Sequence, residues 1–218
     1  LATRPFRAYI PKNYDPKTPV GIFVYLGYKD SVSVNRPWEP LLDKAHLIFI
    51  TPVCHHGSEY PGEVPAWQTM GLALDAVDNL KRQYNIDTRR VYLMSWHEMS
   101  MRISLGAADV FTGLLVGNDP EFFQKLMLPN GASYPLAFPA PPAAILRDAK
   151  LRAFVLIEPN GFTDHDQPPF LLLHAMRRDG FEDVLPLQLS LQTDLHYPNF
   201  TPDWLEQKVL PFFDKSNV

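Results

Sequence analysis

Residues 91–104, with the sequence VYLMSWHEMSMRIS, decide the fold of this chain. They begin with the apolar alternation of a strand and continue with side chains spaced as in a helix. A charged pair, His97 and Glu98, lies where the two patterns meet. We therefore predict a strand over 90–94, a sharp turn, and a helix from about 97 to 108, with a histidine at the corner.

Buried strands and amphipathic helices alternate on both sides of this corner. Continuous apolar runs between turn residues are typical of strands that are buried on both faces of a parallel sheet. Strands are predicted at 6–11 (an edge strand), 20–27, 47–52, 110–117, 151–159 and 184–192, and helices at 38–45, 67–84, 168–180 and 201–213. This order predicts an α/β fold with a mainly parallel central sheet and helices on both faces.

The size and charge of the chain limit the kinds of protein it can be. Its 218 residues predict a single domain over 1–218 with a substantial core. Residues 118–150, richer in proline and loop residues, are interpreted as a lid or insertion over the carboxyl edge of the sheet. The net charge of −4 indicates no basic surface for nucleic acid. No apolar run is long enough to span a membrane, so we expect neither nucleic acid nor a membrane as partner.

The compartment stays open. Cys54 is the single cysteine, which excludes an internal disulfide but does not identify the redox environment. The first residues, LATRPF, lack the character of a signal peptide. Secretion would therefore require a signal peptide removed ahead of Leu1.

Residues 72–96, LALDAVDNLKRQYNIDTRRVYLMSW, resemble the α/β-hydrolase superfamily, in particular its polyhydroxybutyrate-depolymerase and feruloyl-esterase-like branch. In those esterases a helix, a YNID…RVY link and a strand lead into the nucleophile motif G-x-S-x-G. The resemblance implies an α/β-hydrolase fold. It also places Ser95, Trp96, His97, Glu98 and Met99 at the five motif positions. His97 thus takes the nucleophile position, both glycines are replaced, and an ordinary serine mechanism is excluded there.

The same resemblance implies partners for His97. His196, in TDLHYPN between the last strand and the last helix, matches the position of the catalytic histidine. Asp164, in NGFTDHDQPP, is the preferred acid, ahead of Asp166 and, more distantly, Glu158.

Further residues are candidates for binding the substrate. The resemblance implies an oxyanion hole formed by the backbone N–H of Glu98 and one near Tyr28. Trp67 and Trp96, with Tyr28 and Tyr60, are candidates for an aromatic cleft that holds an aryl or polyester substrate. For Trp67, core packing on one face of its helix is an equal alternative.

Two functions of different class follow. The first is a divergent carboxylic-ester hydrolase, of polyester or aryl-ester type, with a centre of His97, His196 and Asp164. Such a centre works by general-base catalysis on water, through an acyl-imidazole on His97, or with zinc held by the same three residues, joined by His55 or His56. We expect no cofactor, because no H-E-x-x-H-type spacing supports zinc. The second is a catalytically inactive protein that binds an ester-like or aromatic ligand in the old cleft.

The remaining histidines are interpreted as structural residues or as surface residues without a role in the site. His55 and His56 fall in a segment read as a surface loop after a buried strand. His46 precedes a strand and His174 lies within a predicted helix. His165, between two aspartates, fits either interpretation.

Overall fold

The computed structural model describes residues 5–26, 38–52, 66–96, 100–117, 122–124, 126, 131, 138–160, 171–190 and 202–216. Seven strands and seven helices are found in these ranges. The strands are β1 Phe6–Tyr9, β2 Val20–Leu26, β3 Leu47–Pro52, β4 Ile86–Trp96, β5 Gly113–Gly117, β6 Ala153–Asn160 and β7 Val184–Ser190. The helices are α1 Glu39–Ala45, α2 Ala66–Gln83, α3 Ser100–Gly106, α4 Ala143–Lys150, α5 Leu171–Arg178, α6 Pro202–Trp204 and α7 Leu210–Ser216, with a π-helical turn, Leu205–Val209, between the last two.

The strands form one sheet in the order β1-β3-β2-β4-β5-β6-β7. Only β1, at one edge, is antiparallel to its neighbour, so the predicted mainly parallel sheet is confirmed. The chain leaves β2 toward β3 on one side and leaves β4 toward β5 on the other. Such a reversal opens a crevice at the carboxyl ends of the two strands, where ligands bind in open α/β sheets.

The core consists of two layers, one on each face of the sheet. Alternate strand residues point to opposite faces, so neighbours such as Leu93 and Met94 of β4 belong to different layers. Helices α2 to α5 cover the face of Leu93. Helices α1, α6 and α7 cover the face of Met94. The strands read as continuous apolar runs because both faces are buried, which is why their positions could be predicted from sequence.

The structure corrects several predicted boundaries. Strand β4 starts at Ile86, earlier than the predicted 90, and ends at Trp96. Strand β5 starts only at Gly113, because residues 107–110 form a turn after α3. Strand β7 contains Pro186 and lies at the edge of the sheet, where a residue without an N–H donor is tolerated.

Part of the predicted lid or insertion is ordered structure packed on the core. Helix α4, Ala143–Lys150, was not predicted, although proline followed by AAILRDAK is a good helix start. Phe122 and Phe138 are buried, and the guanidinium of Arg102 in α3 lies 5.1 Å from the centre of the Phe138 ring. Most of residues 118–137 lies outside the described residues, so the lid itself stays a prediction.

The C-terminal helix is irregular around a proline. Pro211 has no N–H for an intrahelical bond, and just before it the N–H of Leu210 donates to the oxygen of Leu205, five residues back. The helix nevertheless packs closely on the sheet through Phe213.

No helix within the described ranges is both long and apolar enough to cross a membrane.

Candidate active site

The strand and the helix predicted on either side of the corner are present at the centre of the sheet. Strand β4 ends at Trp96 and α3 begins at Ser100, so three residues, 97–99, connect them. In register, Ser95 pairs with Leu26, the last residue of β2, and Trp96 pairs with Gly117, the last residue of β5. The connection therefore leaves the carboxyl edge beside the end of β2, at the crevice created by the strand order.

The start of α3 is attached to the neighbouring strand. The hydroxyl of Ser100 donates a hydrogen bond of 3.0 Å to the main-chain oxygen of Gly117. Ser100 is only 1% exposed, so water does not compete for this bond. The first residue of the helix is thus held at the end of β5.

Close packing limits the space around the corner. Ser95, at the first glycine position of the implied motif, is 3% exposed within a strand that has neighbours on both sides. At the other end of α3, a Cβ on Gly106 would lie 2.7 Å from the sulfur of Met70 in α2. The end of β4 is therefore enclosed by the sheet, and the last residue of α3 lies against the flexible side chain of Met70.

The segments that carry the implied acid and histidine start from the same edge. Strands β6 and β7 end together, with Asn160 paired to Ser190. Asp164 follows four residues after the first, and His196 six residues after the second. Glu158, the third choice of acid, lies within β6 and pairs with Gln188, whereas the triad acid is expected in the loop that follows the strand.

The exposure of Trp67 excludes one of its two predicted roles, core packing, and leaves the other, contact with a substrate, open. It is 62% exposed in the first turn of α2, so the alternative that it packs in the core is wrong. Val77 and Leu80 of the same predicted face are buried, as expected. Because α2 connects two parallel strands, its first turn lies toward the carboxyl edge of the sheet, the edge to which the corner belongs.

Most candidate site residues lie outside the described residues, so their arrangement stays a prediction. Trp96 is placed only as the last residue of β4. No group of three or more histidine, cysteine, aspartate or glutamate side chains suited to a metal is found where the structure describes the chain. Of the residues considered in the sequence analysis, those outside the described ranges are Tyr28, Cys54, His55, His56, Tyr60, His97, Glu98, Met99, Asp164, His165, Asp166 and His196.

The two described histidines lie outside the strand and the helix that flank the corner. His46 ends α1 in a left-handed conformation, with φ of 53°. It directly precedes β3 and therefore lies at the amino ends of the parallel strands, whereas the corner lies at their carboxyl ends. His174 is exposed on α5. Neither is a candidate for the centre.

A buried tyrosine lies in the same strand as the corner. Burial, reinforced by the charge of Asp214, raises the pKa of Tyr92 to about 12. Its hydroxyl donates to Oδ1 of Asp214 at 3.2 Å, which joins β4 to α7. At neutral pH Tyr92 is therefore a protonated structural donor, not a general base.

No protein-family model matches the sequence, and no curated protein is significantly similar to it. Solved structures do match. A thermostable esterase has a TM-score of 0.63 at 13% identity over 97% of this chain, which spans 58% of that protein. Est1E from Butyrivibrio proteoclasticus, with ferulic acid bound, has a TM-score of 0.57 at 14% identity over 98% of this chain and 96% of its own.

LpqC, a poly(3-hydroxybutyrate) depolymerase from Bordetella parapertussis, has a TM-score of 0.55 at 14% identity, over 85% of this chain and 79% of its own. At these identities the likeness concerns the fold. The strand order, the corner after β4 and these neighbours agree with the resemblance found in residues 72–96. The chain therefore has the α/β-hydrolase fold.

Proposed function

We propose that the protein is a divergent carboxylic-ester hydrolase whose centre is His97, His196 and Asp164. One observation carries the proposal: the residue that follows β4, at the crevice of the sheet, is a histidine. In the family that the sequence resembles, this position holds the nucleophilic serine. An imidazole is the side chain best suited to proton transfer near neutral pH.

Chain lengths allow the three side chains to meet. Strand β6 is the second neighbour of β4 and β7 the third, which corresponds to about 10 Å and about 14 Å. Four residues after Asn160 reach about 13 Å, and six residues after Ser190 reach about 20 Å. Both Asp164 and His196 can therefore extend to the corner.

The chemistry that fits this centre is general-base hydrolysis. The imidazole of His97 or His196, oriented by the carboxylate of Asp164, takes a proton from water. The resulting hydroxide attacks the ester carbonyl carbon. The tetrahedral intermediate then loses the alcohol, which takes the proton back from the imidazolium. Ester and water give acid and alcohol, and the imidazole returns to its neutral form.

An exposed aromatic ring supports the proposed substrate class. Trp67 exposes a large ring near the carboxyl edge, and aromatic rings provide apolar contact area for aryl or polyester groups. Two structural neighbours point to the same compounds, one with ferulic acid bound and one a poly(3-hydroxybutyrate) depolymerase. We propose a small aryl ester or a polyester as ligand, with neither nucleic acid nor a membrane as partner.

The replaced motif favours a second candidate, an inactive protein that binds such a ligand without hydrolysing it. The nucleophile position holds His97, and the two glycine positions hold Ser95 and Met99. Glycines allow the strained nucleophile turn, so their loss is also what a protein without catalysis would show.

Hydrolysis of a short-chain aryl ester separates the candidates. The wild type should hydrolyse it, and His97→Ala and His196→Ala should each lower kcat by about 100-fold or more, as for loss of a general base. His174→Ala, which removes an exposed histidine on α5, is the matched control and should keep full activity. A chelator should have no effect, whereas loss of activity that zinc restores would favour the metal version.

Two outcomes count against the hydrolase. Activity that survives both histidine substitutions unchanged would exclude the histidine centre. A wild type that binds a non-hydrolysable aryl phosphonate in calorimetry but hydrolyses no ester would establish the inactive binding protein.

A further inference from the structure

The connection between β4 and α3 is held at both ends by one residue, Gly117. Trp96, before the connection, is its partner in the register of β4 and β5. Ser100, after the connection, donates its hydroxyl to the main-chain oxygen of Gly117 at 3.0 Å. Residues 97–99 thus leave and rejoin the described structure at the same point of the neighbouring strand.

This attachment is shielded from water. Ser100 is 1% exposed, and Gly117 is also buried. Because the Ser100 hydroxyl is buried, no water replaces the Gly117 carbonyl as its partner if the bond breaks, so the bond favours an arrangement in which the start of α3 stays at the end of β5. The bond therefore fixes the distance between the start of α3 and the end of β5.

We propose that Ser100 is a positioning residue for His97. In the motif that the sequence resembles, glycines let the strand and the helix approach closely. Here those positions hold Ser95 and Met99, and the bond from Ser100 to Gly117 holds the helix near the sheet in their place. The inference deepens the proposed function, because it concerns the orientation of the histidine on which that function rests.

Helix α3 contains its own control. Ser104 lies one turn after Ser100 and is 0% exposed, but its hydroxyl has no hydrogen-bond partner within the described part of the chain. Ser104→Ala and Ser100→Ala each remove one buried hydroxyl from the same helix. Only Ser100→Ala removes a bond to the strand.

The first test is NMR of the imidazole Cε1–H resonances, with the His97 signal assigned by its disappearance in His97→Gln. Ser100→Ala should move the chemical shift of His97 and leave the chemical shifts of His46 and His174 unchanged. Ser104→Ala should move none of them, and Ser100→Thr, which keeps the hydroxyl, should restore the wild-type signal. Circular dichroism verifies that each variant is folded.

The second test uses the proposed aryl-ester activity. Because small displacements of a catalytic group are costly, Ser100→Ala should lower kcat by about 10-fold or more and change KM by less than about twofold. A wild type without activity would refute the proposed function, while the NMR result would still decide the role of Ser100. The inference is overturned if the His97 signal is unchanged in Ser100→Ala, or if Ser104→Ala moves it equally.

Discussion

Substitution of Gly113 tests how closely the C-terminal helix packs on the sheet. A Cβ at this position in β5 would lie 2.7 Å from Cγ and 2.8 Å from two further carbons of the Phe213 ring in α7. Ordinary contact begins at about 3.4 Å, so the ring would have to retreat by roughly 0.7 Å. Phe213 is 0% exposed and packs on Tyr92 with ring centroids 4.8 Å apart, which leaves it little room.

Overpacking of this kind costs about 1–3 kcal/mol, whereas alanine is better than glycine within a strand by about 0.5–1 kcal/mol. Gly113→Ala should therefore lower the free energy of unfolding by about 1–2 kcal/mol. For a chain of this size that corresponds to a decrease in Tm of roughly 2–8 °C. Urea denaturation followed by circular dichroism measures the change.

Gly106→Ala is a matched control, because its Cβ would also meet a neighbour at 2.7 Å. That neighbour is the sulfur of Met70, near the end of a flexible side chain that can rotate away. The cost should stay below about 0.5 kcal/mol. A double-mutant cycle with Phe213→Leu should recover about 1 kcal/mol of the loss in Gly113→Ala. Equal costs for the two glycines, or strictly additive effects in the cycle, would refute the packing argument.

Three further predictions concern a titration, a second glycine and an exposed aromatic ring. The folded-state pKa of Tyr92, about 12, is above the pKa of 10.0 of a tyrosine in water, so its stabilisation is complete below pH 10 and is lost as pH rises through 12. By about pH 12 this should remove roughly 2 kcal/mol, and Tyr92→Phe should reduce the pH dependence of urea denaturation above pH 10. Gly21→Ala should cost more than Gly113→Ala, because its Cβ would meet the main-chain oxygen of Arg90 at 2.8 Å; an equal or smaller loss of Tm would contradict this. Trp67→Ala should change stability by less than about 0.5 kcal/mol but weaken binding of an aryl phosphonate in calorimetry, and unchanged affinity would exclude Trp67 from the ligand site.

The strands and the class of fold could be read from the sequence. Residues 20–26 and 47–50 are apolar throughout because helices cover both faces of the sheet, so the pattern can be recognised without knowing which strands are neighbours. Helix α4 was missed because prolines on its N-terminal side dominate the local pattern. Strand β5 was predicted too long because turn residues near Phe111 are as apolar as a strand.

The candidate site could be predicted only in part. The position of the corner follows from the change of pattern at His97, and the structure confirms that a strand ends and a helix begins around it. The same apolar periodicity placed Trp67 on the buried face of α2, but that face is set by where the sheet and α3 lie. A side chain at the end of an apolar stripe on a helix can lie beyond the strands and helices that pack against the rest of the stripe. Periodicity alone does not show how far along the helix that packing extends.

The sequence by itself determined that strands and helices alternate, and that the segment after VYLM carries a histidine at position 97 and no serine flanked by glycines. Only the tertiary structure decided that β2 and β4 are neighbours with the crevice between them, and that Ser100 is attached to Gly117. The physical reason is the range of the interactions. Hydrophobic periodicity is recorded in residues a few positions apart, whereas strand order and a hydrogen bond across 17 residues depend on how distant segments pack together.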